Sequence, residues 1–243
     1  MLLKLDSPKI LGDIISIISE LVNEVRLKIN QQGLSVTAID PANVAMVHFK
    51  IPSDLFSTFE IVGEETIGVS LESLKAVLRR CSLGSSLTMQ KEEASLKLVI
   101  QDRIKRDFLL ALIDIEGDEK NLPTWDFKSV VRLDSQSLVE VIEDCSIVAD
   151  ACTFRAEPTK FIVEAKGALN SAKAEFSSEQ IEIHSDFSTA RFSLEYLSKF
   201  AKGAKISSNA SINFSDNSPM RLDFTTGNVM LSFILAPRIE QED

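Results

Sequence analysis

The stretch LGDIISIISELVNEVRLKINQQGLSV, residues 11–36, decides the fold, because it returns in altered form as LVEVIEDCSIVADACTFRAEPTKFIV at residues 138–163. The two copies lie 127 residues apart, and their apolar positions coincide through one helical pattern and two strand patterns. Ile15 matches Ile142, for example, and Val36 matches Val163. Agreement in order, period and spacing indicates an internal duplication, which has to be recognised before a fold is assigned.

A second pair of segments extends the duplication. VSLESLKAVLRR, residues 69–80, falls on FSLEYLSKFAKG, residues 192–203, at an offset of 123 residues. Insertions and deletions in loops would produce such a small change of offset. We therefore predict two similar domains, residues 1–115 and 129–243, joined by an interdomain connector at residues 116–128.

The connector is rich in acidic residues and contains Gly, Asn and Pro, without apolar periodicity, which is typical of a linker. It also contains Leu122, Pro123 and Trp125. Such an apolar group is unusual for a segment that only spans solvent.

Each half of the chain alternates helical and strand patterns in the same order. Ser7 before Pro8 predicts a helix with a Ser cap and with Pro at its first position. A second stripe runs from Leu71 to Cys81 with helical period, and a third helix is predicted from Ser135 to Ala149. Strand-like alternation between short turns favours antiparallel sheets. The predicted class is α+β, with two helices per domain packed on antiparallel sheets.

Composition indicates an acidic globular chain. The 243 residues carry a net charge of −10, which by itself argues against nucleic-acid binding. No segment approaches the roughly 18 apolar residues of a membrane helix, and the N-terminal MLLKLDSPK lacks the apolar stretch of a signal peptide. Three cysteines without a Cys-x-x-Cys motif predict a reduced intracellular protein.

The distribution of positive charge matters more than its sum. The second and fourth predicted helices occupy equivalent places in the two repeats, and both carry basic clusters, whereas the third helix has no Lys or Arg. The candidate DNA-binding cations are Lys9, Lys75, Arg79, Arg80, Lys199, Lys202 and Lys205. These side chains would contact phosphates without reading bases. The alternative for any single helix is an ordinary solvated face.

No pattern in the sequence indicates catalysis. His48 and His184 lie within strand patterns, and no HExxH, GxSxG, GxxxxGKS or GxGxxG motif occurs. Cys145 and Cys152 are interpreted as small core residues rather than ligands. We therefore expect no enzyme activity, no cofactor and no metal site.

Two segments carry a resemblance to a known family. LSVTAIDPANVAMVHFKIP, residues 34–52, and FILAPRIEQED, residues 233–243, resemble a strand–turn–strand segment and the C-terminal signature of the proliferating cell nuclear antigen (PCNA) family of sliding clamps. The resemblance covers the whole chain, and its compact loops look archaeal. It implies the DNA clamp fold, in which three subunits close a ring around duplex DNA and helices line the channel.

The resemblance also implies a subunit interface and a partner pocket. The interface would pair a strand at residues 107–113 with a strand at residues 172–176 of the next subunit. Its side chains would be Phe108, Leu110, Leu112, Ala172, Ala174 and Phe176. Partner proteins would insert an apolar plug into a pocket made by Ile39, Val44, Leu122, Pro123, Pro219, Ile234, Ala236 and Pro237.

The implied function is that of a DNA polymerase processivity factor in replication and repair. Its partners would be a clamp loader, DNA polymerase, ligase, flap nuclease and other proteins with interacting peptides. The location would be on chromosomal DNA, in the nucleoid of an archaeon or in the nucleus of a eukaryote. The lack of cations on the third helix departs from the family pattern and leaves open a specialised subunit of a heterotrimeric or checkpoint-type clamp. A structural protein that never contacts DNA is a further alternative.

Overall fold

A computed structural model describes residues 1–116 and 122–239. Part of the predicted connector, residues 117–121, and the acidic tail at residues 240–243 lie outside the described residues. The chain forms two compact units. The first contains Met1–Pro41, Val47–Leu122 and Gly227–Met230, and the second contains Ala42–Met46, Pro123–Thr226 and Leu231–Asp243. The domain bounds at residues 115 and 129 stay a prediction.

The first nine strands and two helices occupy the first half of the chain. They are β1 (Leu2–Leu5), α1 (Lys9–Ile18), β2 (Glu24–Asn30), β3 (Gly33–Ile39), β4 (Ala45–Pro52), β5 (Thr58–Glu60), β6 (Glu65–Ser70), α2 (Leu71–Leu78), β7 (Ser86–Lys91), β8 (Ser95–Gln101) and β9 (Lys105–Ala111). A short 3₁₀ turn, Ser53–Leu55, follows β4.

The second half repeats this series. Its elements are β10 (Ser129–Asp134), α3 (Ser135–Ser146), β11 (Ala151–Glu157), β12 (Lys160–Lys166), β13 (Ser171–Ser177), β14 (Glu182–Ser185), β15 (Ser188–Ser193), α4 (Leu194–Phe200), β16 (Asn209–Phe214), β17 (Met220–Thr226) and β18 (Val229–Leu235). A 3₁₀ segment, Ala201–Lys205, continues directly from α4.

Sheet topology confirms the duplication. In the first half the strand orders are β5-β1-β7-β8-β9 and β4-β3-β2-β6, and in the second half they are β14-β10-β16-β17-β18 and β13-β12-β11-β15. Each strand of the second series is the strand of the first with nine added to its number. The recorded ladders are antiparallel, for example β2 with β6 and β11 with β15. The predicted α+β class with two helices per repeat is therefore confirmed.

Each helix buries an apolar stripe within its own unit. Ile14, Ile15 and Ile18 of α1 are buried, and α3 buries Leu138 and Ile142 at the same spacing. Burial of such a stripe removes apolar area from water at about 25 cal/mol per Å². No helix within the described ranges combines the length and apolarity needed to cross a membrane.

Several local expectations were wrong. Helix α1 begins after Pro8, because the Pro8 carbonyl accepts the first intrahelical bond from the Gly12 amide at 3.0 Å, and Ser7 makes no side-chain cap. Cys81 lies beyond the end of α2. Helix α3 ends at Ser146 rather than at Ala149, because the next amides bond within a tight turn.

Strands β1 and β10 were not anticipated from the sequence. Each strand is short and precedes a helix directly or after a brief turn. Its alternation of apolar and polar residues is therefore easily mistaken for the start of the neighbouring helical pattern. Both are central to their sheets, since β1 lies between β5 and β7 and β10 lies between β14 and β16.

Candidate functional site

Three of the predicted DNA-binding cations lie in one groove of the first unit. Lys9, Lys75 and Arg79 line a groove of about 430 Å³ where α1 meets α2 and the loop that follows α2. We call it the helix groove. Helix α2 is fixed at its start because the Ser70 hydroxyl accepts a hydrogen bond from the Ser73 amide at 3.3 Å.

The local bonds of these cations differ. Lys9 forms an ion pair with Asp13 one turn along α1. The Lys75 ammonium donates to the Ser19 hydroxyl at 2.8 Å and thereby crosses from α2 to the end of α1. Arg79 is exposed at the C-terminus of α2, where a cation interacts favourably with the helix dipole. Arg80 beside it is also exposed.

In the second unit, as in the first, one of the candidate cations is paired with an acid on its own helix. The Lys199 ammonium bonds Glu195 at 2.8 Å and lies 5.2 Å from the centre of the Tyr196 ring. The hydrogen bond from Lys199 lowers the pKa of Glu195. Lys202 and Lys205 are exposed and lie on the 3₁₀ segment. Lys202 is therefore not on α4 as predicted, whereas Lys205 follows the helix as expected.

That 3₁₀ segment is held close to the sheet. A Cβ atom added to Gly203 would meet the Phe224 ring at 2.3 Å, so only glycine permits this approach. The neighbouring α3 presents Glu140, Glu143 and Asp144 to solvent. The candidate DNA surface therefore has a clustered cationic part in the first unit and a mixed part in the second.

The C-terminal signature is anchored within the second unit. The Ala236 amide donates to the Val44 carbonyl at 3.0 Å, which joins two of the predicted pocket residues. One residue later, the Arg238 amide donates to the Arg191 carbonyl at 2.7 Å, and its guanidinium bonds Asp150 at 2.9 Å. This hydrogen bond lowers the pKa of Asp150.

The other pocket residues divide between the units. Ile234 is buried, with 7% of its surface exposed, and Pro237, Pro219 and Pro123 are half-buried in the second unit. Trp125 packs against Phe127 with 5.8 Å between ring centres. Leu122 and Ile39 lie together in the first unit, where both line the same cleft.

This cleft, which we call the sheet cleft, has a volume of about 540 Å³. It is lined by the polar faces of β2, β3, β4 and β6 and by Ile115, Glu116 and Leu122. The chain reaches it from Ile113, whose amide bonds the Gly68 carbonyl at 3.0 Å. A Cβ on Gly68 would lie 2.1 Å from the Ile113 carbonyl oxygen, so glycine is required for this close approach. Arg26 also donates to the Ile115 carbonyl.

The predicted interface residues lie at two sheet edges, except Leu112, which follows the end of β9 at Ala111. Strand β9 ends the sheet of the first unit and β13 ends a sheet of the second, and within the described part of the chain neither pairs with a further strand on its outer side. Phe108 is paired in register with the buried Leu98. Phe176 stacks on Phe161 with 6.3 Å between ring centres. The set Phe108, Leu110, Leu112, Ala172, Ala174 and Phe176 is half-buried throughout.

The histidines and cysteines have structural surroundings. His48 Nδ1 lies 2.8 Å from the Thr37 hydroxyl on the neighbouring β3, and His184 is an exposed residue of β14. Cys145 and Cys152 are buried, which confirms their interpretation as core residues, and burial raises the pKa of the Cys152 thiol. In the two described ranges, no three His, Cys, Asp or Glu side chains group as a metal site.

Sequence reasoning missed some of the anchoring residues. Arg238 belongs to the C-terminal signature FILAPRIEQED, but Asp150 and Arg191, which hold it, are distant in sequence. Arg26 and Ile115 are likewise separated by the length of a domain. A single sequence gives no direct signal for such pairs.

Comparisons with known proteins agree with this geometry. The chain matches the family models of the proliferating cell nuclear antigen N-terminal domain over residues 1–121 and C-terminal domain over residues 121–239. It is 32% identical over 242 residues to the DNA polymerase sliding clamp of Thermococcus fumicolans and 31% identical over 243 residues to that of Pyrococcus horikoshii. Each alignment covers 97% of both chains.

Solved structures share the fold. The crystal structure of the proliferating cellular nuclear antigen from Entamoeba histolytica superposes with a TM-score of 0.92 at 22% identity, covering 98% of each chain. The PCNA2–PCNA3 complex of Sulfolobus tokodaii gives a TM-score of 0.90 at 24% identity, covering 98% of this chain and 99% of the other.

Proposed function

Because the chain belongs to the proliferating cell nuclear antigen family of sliding clamps, we propose that it is a non-catalytic DNA polymerase sliding clamp. It encircles duplex DNA on the chromosome and tethers replication and repair proteins. The observation that carries the DNA part is the helix groove, in which Lys9, Lys75 and Arg79 are brought together on a chain of net charge −10.

Such a groove suits the phosphate backbone rather than the bases. Lys and Arg that neutralise phosphates release counterions, so the affinity is independent of sequence and falls steeply with salt. Few cations are available per subunit, and several are paired with acids. Retention on DNA therefore depends mainly on ring closure, and electrostatic contacts keep the duplex centred while it slides.

Ring closure is assigned to the edges of β9 and β13. Three identical subunits joined head to tail make a closed ring, because the interface is heterologous and the rotation closes. Pairing of these edges also covers two exposed sheet edges, which otherwise favour aggregation. The half-buried Phe108 and Phe176 would then be covered by the next subunit.

Light scattering of the purified protein tests this assembly. A mass of three chains is expected for the wild type. Leu110→Arg introduces a charge into the edge of β9 and is expected to yield monomers, whereas Lys128→Gln, at an exposed position outside both edges, leaves the trimer intact. A stable wild-type monomer would refute the homotrimer.

Retention on circular DNA tests the helix groove. Lys75→Glu with Arg79→Glu is expected to reduce retention strongly, and Lys199→Glu more weakly, because Lys199 already pairs with Glu195. Lys166→Glu is the matched control, since Lys166 is exposed on β12 and lies outside the helix groove. Unchanged retention in the double variant would remove these residues from the DNA surface.

The partner pocket is assigned to the C-terminal signature and its neighbours, together with Ile39 and Leu122. Polymerase, ligase, flap nuclease and clamp loader are expected to insert an apolar plug there. Pro237→Ala is expected to weaken such peptides by about 1–2 kcal/mol without unfolding the chain, measured by calorimetry and by a thermal melt. Ile234→Ala is a less clean variant, because Ile234 is buried and its loss also destabilises the fold.

A second candidate is a specialised subunit of a heterotrimeric or checkpoint-type clamp. The acidic exposed face of α3 favours it, because three copies would place nine carboxylates of Glu140, Glu143 and Asp144 on the helix surfaces of one ring. A wild-type chain that stays monomeric alone and assembles only with related subunits would support this candidate over the homotrimer.

A further inference from the structure

The sheet cleft has a charge pattern that the partner pocket does not explain. Its lining includes three cations, Arg26, Lys28 and Lys50, on strand faces of a protein with a strong excess of acids. Two carboxylates, Glu24 and Glu116, also line it. Arg26 lies two residues from Glu24 and donates to the Ile115 carbonyl, next to Glu116. Glu24 lies four residues from Lys28 along β2, so Lys28 and Lys50, rather than all three cations, form the cationic part of the cleft.

The cationic part surrounds Ser35. Ser35 lies opposite Lys28 in the β2–β3 register. Lys50 reaches into the same region, where its ammonium donates to the Gln32 side chain at 3.0 Å. A lysine ammonium has three donors, so this bond leaves Lys50 able to bind a carboxylate as well. Lys28 and Lys50 are half-buried, so salt and water screen their charges less than they screen the charge of a fully exposed lysine.

The other end of the cleft is apolar and belongs to the proposed partner pocket. Ile39 and Leu122 both line it there. Ile39 and Ser35 are four residues apart on β3, which at about 3.3 Å per residue is roughly 13 Å. An extended peptide spans that distance in about four residues.

We propose that the sheet cleft selects partner peptides with a carboxylate about four residues from the apolar plug, held by Lys28 and Lys50 on either side of Ser35. This inference rests on the proposed docking of partner peptides beside Ile39. Acids immediately next to the plug are not favoured, because Glu24 and Glu116 lie in the opposite part of the cleft from Lys28. The cleft thus adds a position-specific requirement to apolar recognition.

The test uses synthetic peptides that carry one apolar plug and differ at the fourth residue from it, on either side, with Glu, Gln or Lys there. Calorimetry with the wild-type protein is expected to show that Glu on one side binds about three- to fivefold more tightly than Gln, the range of a moderately exposed ion pair, and that Lys binds less tightly than Gln. The preference should shrink at high salt.

Variants distinguish recognition by the two cleft lysines from a nonspecific effect of overall charge. Lys28→Gln with Lys50→Gln is expected to abolish the preference for Glu while leaving the Gln peptide unchanged. Lys4→Gln is the matched control, because Lys4 is a strand lysine paired with Asp6 and does not line the cleft. A preference for Glu that survives in the double variant would overturn the proposal.

The outcomes also distinguish the two proposals. If all peptides bind with equal affinity, the cleft inference is wrong and the partner pocket stands. If no peptide with an apolar plug binds, the pocket assignment is wrong, and the inference that rests on it is overturned with it.

Discussion

The helix pairs of the two units share one design and differ in charge. Helices α1 and α2 meet at a groove lined by three cations, whereas α3 has no cation and α4 pairs its Lys199 with Glu195. The apolar stripes nevertheless match position by position, as Ile15 with Ile142 and Leu74 with Leu197. After duplication, the buried faces were constrained by packing, while the exposed faces were free to change charge.

The buried faces differ in a more limited way. At several matched positions the second unit has an aromatic side chain where the first has an aliphatic one. Phe200 of α4 stacks on Phe233 with ring centres 4.4 Å apart, and Phe154 contacts Phe161 and Phe192 edge to face. Val77 occupies the place of Phe200 in the first repeat, at the offset of 123 residues. The same fold therefore has a core richer in aromatic side chains in the second unit, although the first unit also buries Phe49 and Phe56.

The largest expected effect comes from this difference in core. Phe200→Ala removes a fully buried ring and is expected to lower the free energy of unfolding by about 3–5 kcal/mol. Val77→Ala removes less apolar volume and should cost about 1–2 kcal/mol. Denaturant unfolding measures both, and Val62→Ala, at a fully exposed loop residue, is the control, with an effect within about 0.5 kcal/mol.

Equal losses at Phe200 and Val77 would contradict the energetic distinction between the aromatic and the aliphatic side chain at this pair of matched positions. Trimer formation adds to apparent stability. The comparison therefore requires all variants at one protein concentration.

Helix caps give the next effect. The Asp134 carboxylate accepts from the Ser137 amide at 2.8 Å at the start of α3, whereas α1 begins after Pro8 without a side-chain cap. Asp134→Ala should therefore cost about 1 kcal/mol, and Ser7→Ala should change the free energy of unfolding very little. A substantial decrease in the free energy of unfolding in Ser7→Ala would instead support the Ser7 cap that the sequence predicts.

The sequence predicted the features that repeat. The duplication, the strands β2 to β4, β6 to β9 and β11 to β18, and the basic side chains of α2 follow from apolar period and offset, and all are present in the structure. The three-residue β5 was not predicted. An apolar period can be recognised only over several residues, so the four-residue β1 was missed. The start of α1 was misplaced by one residue because Pro8 is compatible with both positions.

The hydrogen bonds and ion pairs that shape the candidate sites could not be predicted from the period of apolar residues in the sequence. The Ala236–Val44 and Arg238–Asp150 contacts join segments far apart in the chain, and one sequence contains no information on which distant residues pair. The sheet cleft was missed for a different reason. Lys28 and Lys50 occupy ordinary polar positions of alternating strands, and only the folded sheet places both of them in the lining of one cleft.

The acidic face of α3 provides a smaller test of the charge difference between the units. If α3 faces DNA, Glu140→Gln with Glu143→Gln removes repulsion from phosphates and should raise affinity for a DNA duplex about two- to fivefold at low salt, with a smaller gain at high salt. Glu179→Gln, at an exposed loop residue of the same unit, is the control. If the α3 variant gains nothing over this control, α3 does not approach the duplex.

The smallest expected effect concerns the anchor of the C-terminal signature, which exists only in the second unit. The hydrogen bond from Arg238 lowers the pKa of Asp150 below its ordinary value of 3.8. A carboxyl whose pKa is lowered by folding stabilises the folded chain above its unfolded pKa, and that contribution is lost as the pH falls through the folded pKa. Arg238→Gln should return the pKa of Asp150 towards 3.8, as followed by carboxyl NMR titration, whereas Arg132→Gln, which breaks a different surface pair with Glu182, should leave it unchanged. Because the Asp150 side chain is largely exposed, stability should change little, since the backbone bond from residue 238 to the Arg191 carbonyl is kept in the variant. A large loss of stability in Arg238→Gln would mean that the ion pair, and not this backbone contact, holds the segment.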